Sequence, residues 1–416
     1  MQPADCAPVG RETPSASHER PWLFNFLIAP DAVLSIGLID GALSYLLRDE
    51  GVGAARAASI VALLSLPHAI YFLWGPVTDF WMRRRTWLML MAAAAAAALL
   101  VAFHRFSLAA PGTIAVLFLS AFFGGFTVAA CGGMMGTLRS EANRRRAGSF
   151  YQSGSLAFGG VAVFLLVSLA ARVGLGALGW TVAAMVALPS LAAFAAPPQR
   201  KLSAEPARAT ALRIWREFRA TFLRRDAVPY TLLITFPMCS GAMIGLLPGL
   251  ARDYGVAGEQ VAWINGLAGA LLMAAGAFIA SLTPLRIRAP IAFLLAGLVN
   301  AATLAILALG PLRPGVYFAG TVLFLFTIGA CYAFFTGVAL EFLGASGKSG
   351  SARYAIINSL GNLPVAYMAW MDGRGYAHWG PRGMPGVDAA VSAAGATLLL
   401  AYFVLRRRRP APAMGD

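Results

Sequence analysis

The sequence predicts an all-α polytopic membrane protein, with twelve transmembrane helices in two pseudo-symmetric six-helix bundles. Three observations lead there. Of the 416 residues, 59% are apolar and only 12% charged, where a soluble domain carries about 25% charged residues. The apolar residues fall in runs of roughly twenty, the length that crosses a bilayer as a helix, and the period-two alternation of barrel strands is rare. The basic residues also sort by side. With the N-terminus placed inside, 25 of the 33 Lys and Arg fall in inside segments and 8 in outside loops, as the positive-inside bias requires.

The spans follow in order. Residues 1–21 are a polar cytoplasmic tail. It has no apolar core before Trp22 and is not a cleavable signal peptide. Spans 1–6 cover about 22–47, 57–79, 86–104, 111–137, 147–171 and 174–196, making a first bundle over 22–196. Residues 197–228 form a basic cytoplasmic linker, opened by Pro197-Pro198. Leu212, Trp215, Phe218, Phe222 and Leu223 recur there near helical spacing among arginines. That pattern suits an amphipathic helix at the inner leaflet, with an ordinary charged linker as the alternative. Spans 7–12 cover about 229–251, 260–283, 289–309, 315–341, 353–372 and 386–405, a second bundle over 229–405, and residues 406–416 are a cytoplasmic tail.

The halves repeat. Leu47-Arg48-Asp49-Glu50-Gly51-Val52 ends span 1, and Ala251-Arg252-Asp253-Tyr254-Gly255-Val256 ends span 7. Tyr151…Ser155-Leu156 opens span 5 as Tyr354…Ser359-Leu360 opens span 11. Near-constant offsets indicate two bundles related by an axis along the membrane normal.

Composition excludes several function classes. The net charge of +15 sits at helix ends, where it meets anionic head groups and not nucleic acid. Cys6, Cys131, Cys239 and Cys331 make no CxxC or Cys/His spacing, so neither a disulfide framework nor a metal site is indicated. There is no G-x-x-x-x-G-K-[ST] loop for a nucleotide and no nucleophile–base–acid set. No enzyme, cofactor or metal is expected.

Ionisable groups inside a bilayer are costly and are candidates for function. Asp31 lies about 13 Å into span 1 at 1.5 Å per residue, close to the midplane, and Asp40 lies nearer the outer surface. Nine α-helical steps, about 900° of rotation, put the two on roughly opposite faces, so they are not expected to share a cavity. His68 of span 2 falls at the depth of Asp31. The two form a candidate proton-coupling pair, or else a polar pair that only fixes packing. Polar residues also gather where spans 5 and 11 enter the membrane: Tyr151, Gln152 and Ser153 in one, Tyr354, Asn358 and Asn362 in the other. They are candidate solute contacts, with interhelical hydrogen bonds as the alternative reading. Asn358 and Asn362, at i and i+4, share a helix face. Glu341, Arg353 and Asp372 fall at span ends and read as interfacial.

Between spans 2 and 3 the chain runs Gly75-Pro76-Val77-Thr78-Asp79, then Arg83-Arg84-Arg85. This turn resembles the loop 2–3 signature of the major facilitator superfamily. The preceding Leu66-Pro67-His68…Phe72-Leu73-Trp74 is similar to the branch holding the AmpG muropeptide permeases and acetyl-CoA transporters, with Tyr71 where that branch commonly has lysine. The resemblance implies that Asp79 pairs with an arginine of span 4, here Arg139, and faces the start of span 11. Gly75 and Arg83 flank this latch, which closes the inner side when the cavity opens outward. It further implies a monomeric, proton-coupled secondary transporter of the inner membrane, moving a small muropeptide-like solute by alternating access. A siderophore importer of the same branch and a non-transporting membrane receptor are the competing readings.

Overall fold

The structure, a computed structural model, describes residues 19–79, 81–105, 107–138, 141–196, 227–281, 287–343 and 350–407, with isolated positions between 209 and 222. Among the described residues the chain is all helix. Ten helical runs are long and apolar enough to cross a membrane. In chain order the helices are α1 (Pro21–Asp49) and α2 (Ala54–Leu73), then α3 (Arg84–Arg105), α4 (Pro111–Gly136), α5 (Glu141–Ala170) and α6 (Leu175–Ser190). The second half holds α7 (Val228–Thr235), α8 (Ala242–Leu250), α9 (Gly258–Ala280), α10 (Ala289–Leu309), α11 (Pro314–Leu343), α12 (Gly350–Gly361), α13 (Leu363–Trp379) and α14 (Gly383–Arg407). The end of the bundle where α1 begins is the near end, and the end where it finishes is the far end.

α1 changes geometry along its length. Residues Val33–Ala42 are π-helical before the α form resumes at Leu43–Asp49. In this stretch Gly37 and Gly41 lie against Ala162 and Val163 of α5, where neither has room for a Cβ. Small residues let helix backbones approach without a hydrophobic driving force. The same device joins the halves. Gly245 and Gly249 of α8 lie one turn apart and face α1, where a Cβ would stand 3.1 Å from Asp40 Cα and 3.0 Å from Ser44 Cβ.

The helix that opens the second half is interrupted. α7 stops at Thr235, and α8 starts after Gly241, whose φ is +77°, with Cys239 also at positive φ. Broken backbone in a membrane is tolerated where protein re-satisfies its polar groups. Here Tyr367 Oη donates to the Thr235 carbonyl at 2.7 Å, and Ser392 Oγ reaches the Pro237 carbonyl at 2.7 Å. The last apolar run, Ile356–Leu405, folds back at Gly380, whose φ of +68° suits only glycine. Gly375 and Gly383 meet across that turn.

Of residues 197–226, Ala209, Leu212, Trp215, Arg216, Arg219 and Phe222 are described, and all are helical. Phe222 is buried in a cluster with Ile234, Ala339, Ile356 and Ile357, while Leu212 and Trp215 are exposed. Phe218 and Leu223 lie outside the described residues.

Candidate functional site

The site begins with Asp31 and His68. His68 Nε2 lies 2.8 Å from Asp31 Oδ1, and each side chain is 12% exposed. Ser35, one turn on, donates to the Asp31 carbonyl at 2.7 Å and stands 3.3 Å from Oδ2. Gly124 of α4 forms the third wall. A Cβ there would lie 3.5 Å from Asp31 Oδ1, 3.6 Å from His68 Nε2 and 2.8 Å from Leu34 Cδ2. The imidazole can carry a proton to or from the carboxylate over one hydrogen bond.

Asp40 corrects the sequence reading. It does not face away from Asp31: Ser65 of α2, one turn from His68, donates to Asp40 Oδ1 at 3.1 Å. Both acids therefore address α2, and His68 feels the charge of each. The reason is the π segment between them. A π turn takes more residues than an α turn, so nine steps rotate less than the α period assumes. Tyr332 of α11 is also within electrostatic reach of Asp40, which places Asp40 where the two halves meet.

α2 is shaped for this position. Pro67 interrupts its hydrogen-bond ladder, and the α form ends at Ile70. The last carbonyls of a helix lack internal donors, and the second half supplies two. Ser359 Oγ donates to the Ala69 carbonyl at 2.8 Å, and Asn362 Nδ2 donates to the His68 carbonyl at 3.4 Å. Asn362 thus makes a contact between halves, from a turn where its own N–H bonds the Ser359 carbonyl. Asn358, one turn before it, is half-buried.

The other predicted residues are more scattered. Tyr151 is half-buried and Gln152 exposed on α5. Ser153, beside them, donates to Asn25 Oδ1 at 2.9 Å. The backbone of Tyr354 is in α12, but its side chain lies outside the described residues. Gly75 and Asp79 bound a short 3₁₀ turn. The Asp79 side chain and all of Arg139 lie outside the described residues. Arg83 is exposed. It is Arg84 that reaches α4, donating to the Gly133 carbonyl at 2.6 Å across a residue with no Cβ to obstruct it.

The repeated Arg-Asp pairs meet at the far end. Arg48 Nη2 bonds Asp253 Oδ1 at 2.9 Å and Oδ2 at 3.1 Å, and Arg252 pairs reciprocally with Asp49. Arg252 also donates to the Arg48 carbonyl at 2.8 Å, and Tyr376 of α13 donates to Asp253 at 3.1 Å. Below them the Ser44 hydroxyl bonds the Gly245 carbonyl and accepts from Gly249 N–H at 3.2 Å. It is inserted into the ladder of α8 beside Pro248. The sequence showed the repeat but gave no sign that its two copies bind each other.

Two further residues correct or extend the sequence reading. Asp372 is fully buried and not interfacial, because α13 continues two turns past it to Trp379. Asp388 of α14, which the sequence did not single out, is buried beside it. The signal available was the run of glycines at 373, 375, 380, 383 and 386, of which Gly375 and Gly383 bring the two helices together.

The sequence profile of the Major Facilitator Superfamily matches residues 31–369. Among curated protein sequences none matches. Among solved structures, a POT family transporter in complex with 5-aminolevulinic acid superposes with a TM-score of 0.72 at 11% identity, covering 94% of this chain and 96% of that one. A D-xylose-proton symporter gives 0.66 at 13% identity over 91% and 95%. The nucleoside transporter NupG gives 0.66 at 11% identity over 94% and 99%. At these identities the likeness carries the fold, and the profile match over most of the chain carries the family: the protein belongs to the major facilitator superfamily.

Proposed function

We propose that the protein is a proton-coupled secondary transporter, moving a small organic solute across the inner membrane by alternating access. The observation that carries this reading is the Asp31–His68 pair. It is a protonatable couple on the first two helices, and its imidazole-bearing residue is held by Asn362 from the other half. Protonation changes the charge where the halves touch, and such a change biases which of two arrangements is favoured. Asp40 and Ser65 extend the couple toward α11.

The rest of the reading follows from the family. α7 and α8 together count as span 7, and the last apolar run counts as two, which completes twelve crossings. Residues 22–196 and 229–405 are the two bundles, joined by the basic linker, with both termini cytoplasmic and the chain monomeric. The far-end contacts close the outer side, and Asp79 with Arg139 closes the inner one. Tyr151, Gln152, Tyr354 and Asn358 are the proposed solute contacts, and Asn362 serves the contact between halves. The descriptions of the similar solved structures name small polar organic molecules, and the loop resemblance points to a muropeptide-like solute, with a siderophore of the same branch as the alternative.

The test is uptake into proteoliposomes under an imposed pH gradient, with muropeptides, siderophores and acyl-CoA screened in parallel. Accumulation that collapses with a protonophore supports the transporter. Binding without accumulation supports the receptor reading instead. Asp31→Asn should reduce gradient-driven uptake at least about tenfold, equivalent to about 1.4 kcal/mol, while the variant remains folded. Undiminished uptake removes Asp31 from the mechanism.

A further inference from the structure

Asp372 and Asp388 are the most deeply buried acids among the described residues of the second half. Asp372 is 0% exposed and Asp388 4%. They neighbour each other where Gly375 of α13 packs on Gly383 and Val387 of α14. Neither oxygen of Asp372 has a donor among the described residues. Ser392 lies 2.9 Å from Asp388 Oδ1 and 2.7 Å from the Pro237 carbonyl. A serine hydroxyl carries one hydrogen, so it can satisfy only one of those two acceptors.

The hydrogen-bond count is therefore short. Among the described residues, two carboxyls and the Pro237 carbonyl face a single donor, in a place where an unpaired buried acceptor is expensive. Two facing carboxylates without a counter-charge are more expensive still. Added protons close the count. A protonated Asp388 donates to Ser392 Oγ, whose own hydrogen goes to the Pro237 carbonyl, and a proton between the acids joins Asp372 to Asp388. Tyr367 on α13 and Cys239 in the break before α8 are titratable neighbours of Asp388 and supply no positive charge, and among the described residues neither acid forms an ion pair.

We infer that Asp372 and Asp388 form a second proton-binding site, in the C-terminal half and separate from Asp31–His68. Ser392 relays the bond to the backbone break at Pro237. The site lies one helical turn from Tyr376, whose hydroxyl holds Asp253 of the far-end contact. It depends on no particular solute or direction of transport.

The experiment is infrared spectroscopy of the full chain in lipid vesicles at neutral pH, reading the carbonyl stretch of protonated carboxyl groups and its shift in D₂O. An Asp31→Asn, Asp40→Asn background removes the acids of the other site. The protonated-carboxyl band is expected to persist in that background and to be lost or shifted on adding Asp372→Asn or Asp388→Asn. A background spectrum with no such band overturns the inference, and this reading does not require the further variants to fold. A band unchanged by both further substitutions also overturns it.

Discussion

Gly124 tests the site without touching its chemistry. A methyl group added there meets Leu34 Cδ2 at 2.8 Å, and overpacking of this kind costs about 1–3 kcal/mol. Gly124→Ala should lower the thermal unfolding midpoint and weaken gradient-driven uptake together, whereas Gly112→Ala, in open space on the same helix, should do neither. Equal behaviour of the two variants would show that Gly124 is not a wall of the site. At this scale the sequence was informative about Asp31 and His68, because a charged residue inside an apolar span stands out and helix rise gives its depth. It was silent about Ser35, Ser65 and Ser392. A hydroxyl in a membrane helix usually bonds its own backbone, and only coordinates show which ones also reach a carboxylate.

Helix geometry decided where the sequence reading failed. Asp31 and Asp40 were placed on opposite faces by an α period that α1 does not keep, since residues 33–42 are π-helical. Asp372 was placed at an interface because the apolar signal fades there, while α13 continues through Gly373, Arg374 and Gly375 to Trp379. Hydropathy finds the spans and misses their ends, because a helix face buried by protein can carry polar residues that a lipid-facing one cannot. The end of α2 makes a prediction of its own. Ser359→Ala leaves the Ala69 carbonyl without its donor, and should destabilise the fold by about 1 kcal/mol, the usual worth of such a bond between membrane helices. The Ser359→Thr variant keeps a hydroxyl and should recover most of that loss in a thermal melt. Recovery no better than alanine's would mean that the bond contributes nothing.

The whole molecule is held at its far end by two reciprocal ion pairs, one residue of each charge from each half. Breaking one partner of a partly buried pair leaves a charge without its counterpart. Arg48→Asp should open the far end, and Arg48→Asp with Asp253→Arg should close it again. The readout is labelling of Leu47→Cys, fully buried in the closed form, by a membrane-impermeant maleimide. Labelling several-fold faster in the single variant and restored in the double is the expected pattern, and equal rates in all three would dismiss the ion pairs as a closure. At the near end, Asp79→Ala should shift the resting population toward the inward-open form, seen as increased labelling of near-end cysteines. The fold was legible at this scale, since long apolar runs, basic residues sorted between them and an internal repeat are properties of the chain. How the two copies of the repeat engage was not, because symmetry in a sequence does not say which surfaces meet.

Those two ion pairs also bear on how the protein responds to membrane voltage. Arg48, Asp49, Arg252 and Asp253 sum to zero charge, so parting the halves there displaces no net charge. Voltage acts at about 2.3 kcal/mol per elementary charge per 100 mV and gains no purchase on that step. Current during turnover should instead report the proton on the buried acids, and neutralising Asp253 alone should make the opening step sensitive to the applied potential.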